Sequence, residues 1–185
     1  MSGSSYYPPA AFYFRVDVIG VLGAASLATS IDNSFEEVSG ITAEFETEEI
    51  AEGGENRFTH RLPLRGKYAN LVLKRGVVTS DSFLAEWCGQ TIGSSLAGSS
   101  LAGSSLGGPI VPQNILVSLL SEGGLPSIVW GFSNAWPVKW EISAMNAQEN
   151  KLLMETLEFS YNYFERINLN GLGVATKIAS LVAKL

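Results

Sequence analysis

Apolar and polar side chains alternate with a period of two along most of this chain, the pattern of strands with two unlike faces. Residues 11–21 (AFYFRVDVIGV) are aromatic and β-branched and alternate around Arg15 and Asp17, which predicts a first strand. A small-residue loop follows at 22–33, a new strand begins within 35–39, and Gly40 reads as a bulge or turn. Residues 41–76 are the stretch around which the rest is organised. Phe45 and Thr47 point one way there, and Glu44, Glu46 and Glu48 the other. The glycine-containing loop 51–56 (AEGGEN) comes next, with strands predicted near 57–64 and 71–75.

Two apolar runs, 110–121 (IVPQNILVSLLS) and 127–133 (SIVWGFS), flank Glu122, Gly123 and Gly124 and predict a hairpin. In 135–143, Trp136, Val138, Trp140 and Ile142 share one face, and Pro137 suits an edge or a strand start. After a turn at 146–150, residues 152–167 read as one long strand. Leu157, Phe159, Tyr161 and Tyr163 alternate there with Glu158, Ser160, Asn162 and Phe164.

The period changes in three places. Phe83, Leu84 and Trp87 form a helical face within 80–89, with Thr79, Ser80 and Asp81 as candidate N-caps and Gly89 as a stop. Residues 93–108 repeat GSSLA, GSSLA, GSSLG, too poor in apolar bulk to fill a core, and predict an expanded surface loop. In 169–185, Val174, Ile178, Leu181 and Leu185 stand 4, 3 and 4 apart, an amphipathic helix for packing or for a partner. Residues 1–10 form a Ser/Gly/Pro arm that Pro8 and Pro9 keep extended. The expected division is therefore an arm at 1–10, a β domain at 11–168 containing the 93–108 loop, and a helical tail at 169–185.

Charge sharpens this picture. Only 16% of residues are charged against 46% hydrophobic, which suits a protein that buries surface against copies of itself. Glu36, Glu37, Glu44, Glu46, Glu48, Glu49, Glu52 and Glu55 precede Arg57, Arg61, Arg65, Lys67, Lys74 and Arg75. Two readings stay open: complementary surfaces meeting between subunits, or ordinary cross-strand pairing on a solvated sheet. A net charge of −6 argues against a specific nucleic-acid site. No apolar run reaches the roughly 18 residues of a membrane span, and MSGSSYYPPA lacks the features of a signal peptide, so cytoplasmic synthesis is expected.

Candidate chemistry is sparse. With one histidine, His60, and one cysteine, Cys88, neither a disulfide framework nor a usual zinc site is expected. Cys88 beside Trp87 reads as a buried thiol, and nothing nearby supports a Cys88–His60 nucleophile. Gly53-Gly54 and Gly107-Gly108 lack the context of a phosphate loop. No catalytic, cofactor-binding or metal-binding residue is expected, and no enzyme.

Several segments in order carry a resemblance. They are Phe12–Val16 (FYFRV), Glu52–Arg57 (EGGENR), Leu71–Gly76 (LVLKRG), Asn134–Trp140 (NAWPVKW) and Glu155–Tyr161 (ETLEFSY). Together, over roughly 8–168, they resemble the tail tube proteins of contractile-tailed phages and phage-like extracellular contractile injection systems, relatives of haemolysin-coregulated protein. The resemblance implies a mainly β fold, a β-sandwich or partly closed β-barrel with one short flanking helix, here with a C-terminal helical extension. It implies hexameric rings stacked into a hollow conduit inside a contractile sheath, with partners in sheath and baseplate proteins and cargo in the lumen. A baseplate-proximal or terminal tube paralogue acting as an adaptor ring is the alternative, and a β-sandwich binding module a further one. Glu52, Gly53, Gly54, Glu55, Asn56, Arg57 and Arg61 are the candidates for ring contacts, and Glu44, Glu46 and Glu48 for a lumen-facing wall. The 93–108 repeats and the tail depart from the family pattern.

Overall fold

The computed structural model describes residues 14–20, 35–54, 57–78, 82–93, 110–121, 123–146, 148, 151–169 and 180. One strand organises the body. β7 (Pro126–Ile142) is 17 residues long and belongs to two sheets. Its first half pairs antiparallel with β6 (Gln113–Leu120) on one side and β9 (Tyr163–Asn168) on the other. Its second half pairs with β8 (Met154–Ser160). Beyond β6 lies β1 (Phe14–Gly20); beyond β8 lie β5 (Leu71–Gly76) and then β2 (Glu37–Ser39).

The strands predicted separately at 127–133 and 135–143 are thus one. They turn from the first sheet to the second at Asn134, whose φ of 52° is a left-handed conformation that asparagine tolerates. The buried Asn114 holds the corner, its Oδ1 accepting the Asn134 N–H at 3.0 Å. Pro137 lies in the half of β7 that pairs only with β8 among the described residues, an edge as expected, though not a strand start. It is buried at a register slip between Pro137 and Lys139, where a missing ladder N–H is tolerated. The single strand predicted at 152–167 is conversely two. Asn162 donates its N–H to the Ser133 carbonyl at 3.0 Å, and the chain changes partner there between β8 and β9.

Both halves feed one core. Val16, Val18, Ile115, Val117 and Phe132 from the first sheet pack in the same cluster as Leu71, Leu73, Leu157 and Phe159 from the second. Leu84, Trp87 and Cys88 of α1 (Phe83–Cys88) complete it, with Trp87 stacked on Phe159 at 5.3 Å between centroids. This is the expected mainly β, sandwich-like fold with one short flanking helix. Among the described residues the strand path is open, from β1 to β2, and does not close a barrel.

The ends of α1 differ from expectation. Thr79, Ser80 and Asp81 lie outside the described residues, and the N-cap is Ser82, whose Oγ accepts the Ala85 N–H at 3.2 Å. Gly89 does not stop the helix. It stays right-handed, at φ −61°, and the chain continues through one π-type turn, Gly89–Gly93. The arm at 1–10 lies outside the described residues, as do the loop at 93–108 except Gly93 and the tail helix except Leu169 and Ser180. Leu169 belongs with the β body: it is buried, and its N–H donates to the Ser127 carbonyl at 2.8 Å.

Candidate assembly surface

β3 (Ala43–Ile50) and β4 (His60–Tyr68) pair only with each other, as a two-stranded ribbon apart from the body sheets. Every residue of both strands is exposed. Gly40 sets the ribbon's departure. Its φ is +84°, and a Cβ there would stand 1.9 Å from the Asn70 carbonyl oxygen, so only glycine fits. At the base, Tyr68 reaches back to the body, its ring 5.9 Å from Tyr161 and 5.7 Å from Phe164.

The ribbon carries apolar side chains a lone surface hairpin would not need. Phe45 is 70% exposed, and Ile50, Phe58, Leu62 and Leu64 are also open to solvent. A two-stranded ribbon is at best marginally stable by itself in water, so these residues call for a cover. Several of its charged side chains, by contrast, meet a partner within the chain. Arg61 Nε meets Glu49 Oε1 at 2.9 Å, Lys67 Nζ lies 3.7 Å from Glu46 Oε1, and His60 Nε2 lies 3.5 Å from Glu52 Oε1. At the sheet edge, Lys74 Nζ meets Glu37 Oε2 at 2.8 Å, and that bond and charge hold the Glu37 carboxyl below the ordinary carboxylate range. Within this chain Glu37, Glu46 and Glu49 of the acidic block therefore pair across strands with Lys74, Lys67 and Arg61 of the basic one.

Arg75 is the exception, and a correction to its place in a surface basic block. It is buried and faces Glu155 directly across the β5–β8 ladder, Nε to Oε2 at 2.7 Å. Its Nη2 donates to Ser82 Oγ at 2.8 Å, and Trp140 Nε1 donates to Glu155 Oε1 at 2.7 Å. Phe35 lies 5.6 Å from the guanidinium carbon. The network ties β5, β7 and β8 to the helix cap. Sequence could flag each residue but not the grouping, since Arg75 and Glu155 are 80 positions apart.

Of the predicted site residues, Glu44, Glu46 and Glu48 lie on β3 at every second position, as their alternation required. Glu52, Gly53 and Gly54 form the exposed connection, Arg57 is exposed at its far end, and Arg61 is on β4. Glu55 and Asn56 lie outside the described residues. Cys88 is buried in the body and His60 stands on the exposed ribbon, so the fold does not bring them together. Burial pushes the Cys88 thiol up to about 12, the neighbouring Glu155 charge adding to it.

No curated protein matches the chain in sequence. Among solved structures, a chain of the anti-feeding prophage baseplate is 25% identical, with a TM-score of 0.70 over 90% of this chain and 99% of that one. A chain of the sheath–tube complex of the extracellular contractile injection system PVC is 21% identical (TM-score 0.66, covering 89% and 94%). One of the anti-feeding prophage tube-terminating cap is 19% identical (TM-score 0.65, covering 91% and 99%). These last two establish shared fold alone. The family model for the T4-like virus tail tube protein gp19 matches residues 10–165, nearly the whole described body with its ribbon. The chain belongs to that tail tube family, and is a structural tube protein of the phage-tail and contractile-injection type.

Proposed function

We propose that copies of this chain close into six-membered rings that stack into a hollow conduit inside a contractile sheath. The observation that carries this is the β3–β4 ribbon, held off the body with its apolar side chains uncovered. Contacts between identical subunits that are not two-fold related close into rings or run on as filaments, and a tube uses both. Glu52, Gly53, Gly54, Glu55, Asn56 and Arg57, with Arg61 at the foot of the loop, supply contact between rings. Glu44, Glu46 and Glu48 face the lumen, where a negative wall does not hold an anionic cargo. Sheath and baseplate proteins are the outer partners. The protein is made in the cytoplasm and works in a phage tail or phage-like particle, as a conduit without chemistry of its own. No described helix is long and apolar enough to cross a membrane.

Negative-stain electron microscopy of the purified protein, beside size-exclusion chromatography, tests this. Six-fold rings or hollow tubes are expected; a monomer at every concentration overturns it. The likeness to a baseplate chain favours a second reading, an adaptor ring at the baseplate end. Rings that never stack would select it.

A further inference from the structure

We infer that the C-terminal tail, residues 170–185, folds back over the outer face of the first sheet and covers an apolar stripe there. The register divides that sheet into two faces, since directly opposed residues share one. Val18 opposes Ile115 and Ile115 opposes Phe132, all on the side of the main core. The alternate positions face away. Arg15 opposes Ser118, Ser118 opposes Val129, and Val129 opposes Ile167. Leu116 lies beside them, opposite Asp17.

These outward positions hold a second apolar cluster, separate from the main core. Leu116, Val129 and Leu169 are buried in it, and Ile19 and Ile167 pack against them. A sheet face open to water is ordinarily polar, yet Val129 is only 1% exposed, so this face is covered. Among the described elements, α1 and the second sheet meet the first sheet through the main core, and every ribbon residue is exposed. None of them is left to cover the outer face.

Leu169 points to the occupant. It sits in the cluster itself, with its N–H on the Ser127 carbonyl, and the tail is the chain that continues from it. Gly171 and Gly173 stand where that chain must turn back. Beyond them, Val174, Ile178, Leu181 and Leu185 make one helical stripe, and Ser180, which is helical and exposed, stands off it. The reach is sufficient. Three strand spacings, about 14 Å, separate β9 from β1, and residues 174–185 span about 18 Å as a helix. The tail lies beyond the residues that match the family. It withholds from neighbouring copies an apolar face that would otherwise invite contacts out of place.

The test is thiol reactivity in the full chain. Ser118→Cys places a reporter on the covered face, and the buried Cys88 of the main core is the internal control. With the native tail the reporter is expected to resist a thiol reagent such as DTNB. Adding Ile178→Ser and Leu181→Ser is expected to abolish that protection while Cys88 stays unreactive. If Cys88 becomes reactive, the body has loosened, and Ile167→Cys with the single tail variant Leu181→Ser repeats the test. A reporter that reacts with the native tail in place would overturn the inference. So would one that stays protected in the tail variant, since another segment, such as 21–34, must then be the cover. Protection that grows with protein concentration would assign the cover to a second copy and overturn it as well. None of these outcomes touches the tube assignment.

Discussion

The molecule carries two arginine–glutamate pairs built alike and placed differently. Arg75 and Glu155 oppose each other across β5 and β8 at 2.7 Å, with side chains 1% and 5% exposed. Arg61 and Glu49 oppose each other across β4 and β3 at 2.9 Å, with side chains 71% and 54% exposed. The geometry is nearly the same, so the surroundings decide what each does. In the body, water is excluded, and either charge left alone is severely penalised. On the ribbon, solvent screens both charges and two long side chains lose rotamer freedom to meet. The buried pair holds one chain in one shape; the exposed pair keeps a charged surface neutral without fixing it.

The largest expected effect comes from breaking the buried pair. Glu155→Gln removes the carboxylate that faces the Arg75 guanidinium and alters the acceptor for Trp140. It is expected to destabilise the monomer by ~3–5 kcal/mol in urea unfolding. A loss under about 1 kcal/mol, the level of an exposed pair, would remove the contrast with Arg61–Glu49. Next is Gly40→Ala. The added methyl meets the Asn70 carbonyl in a left-handed backbone, so the turn must move. It is expected to cost more than the ~1 kcal/mol usual for alanine at a positive φ and to misplace the ribbon, read as lost rings and a lower urea midpoint.

Cys88 adds a pH test of the body alone. Its thiol is raised from 9.0 to about 12, chiefly by burial. A group raised in the folded state favours folding fully below its unfolded value, and that contribution is lost as pH climbs through the folded value. Stability from Cys88 is therefore expected to fall between about pH 9 and 12. Cys88→Ala, measured over that range, should show a shallower decline than the wild type. Equal slopes would mean the thiol is not the group that titrates.

Sequence pattern revealed much of the body and half of the ribbon. Period-two alternation found β1, β3 and β5, because each has unlike faces and no irregularity that shifts its own side chains. It failed at β7 because Ser133, Asn134 and Ala135 read as a break, whereas Asn134 turns the strand without ending it. It failed at 152–167 for the opposite reason: Tyr161 and Asn162 keep the alternation while the backbone turns a corner. Arg75 looked like its neighbours in a basic block, and only the β5–β8 register brings it to Glu155. The slip in β4 leaves no mark in Arg65 or Leu64, so it becomes visible only when the two strands are set side by side.

The smallest expected effect belongs to the exposed pair, and it is the one that separates folding from assembly. Arg61→Ala removes the partner of Glu49 in a ribbon that makes few contacts with the body. Monomer stability is expected to change by no more than about 1 kcal/mol. The unpaired Glu49 then adds a negative charge to a ribbon already bearing Glu48 and Glu52. If Arg61 lies at a contact between rings, stacking should weaken at low salt and recover as salt screens the repulsion, while the rings themselves persist. Sedimentation of tubes from about 0.05 to 0.5 M salt reads this directly, since that range shortens the screening length severalfold from roughly 14 Å. Stacking that is indifferent to both the substitution and salt would remove Arg61 from the contact.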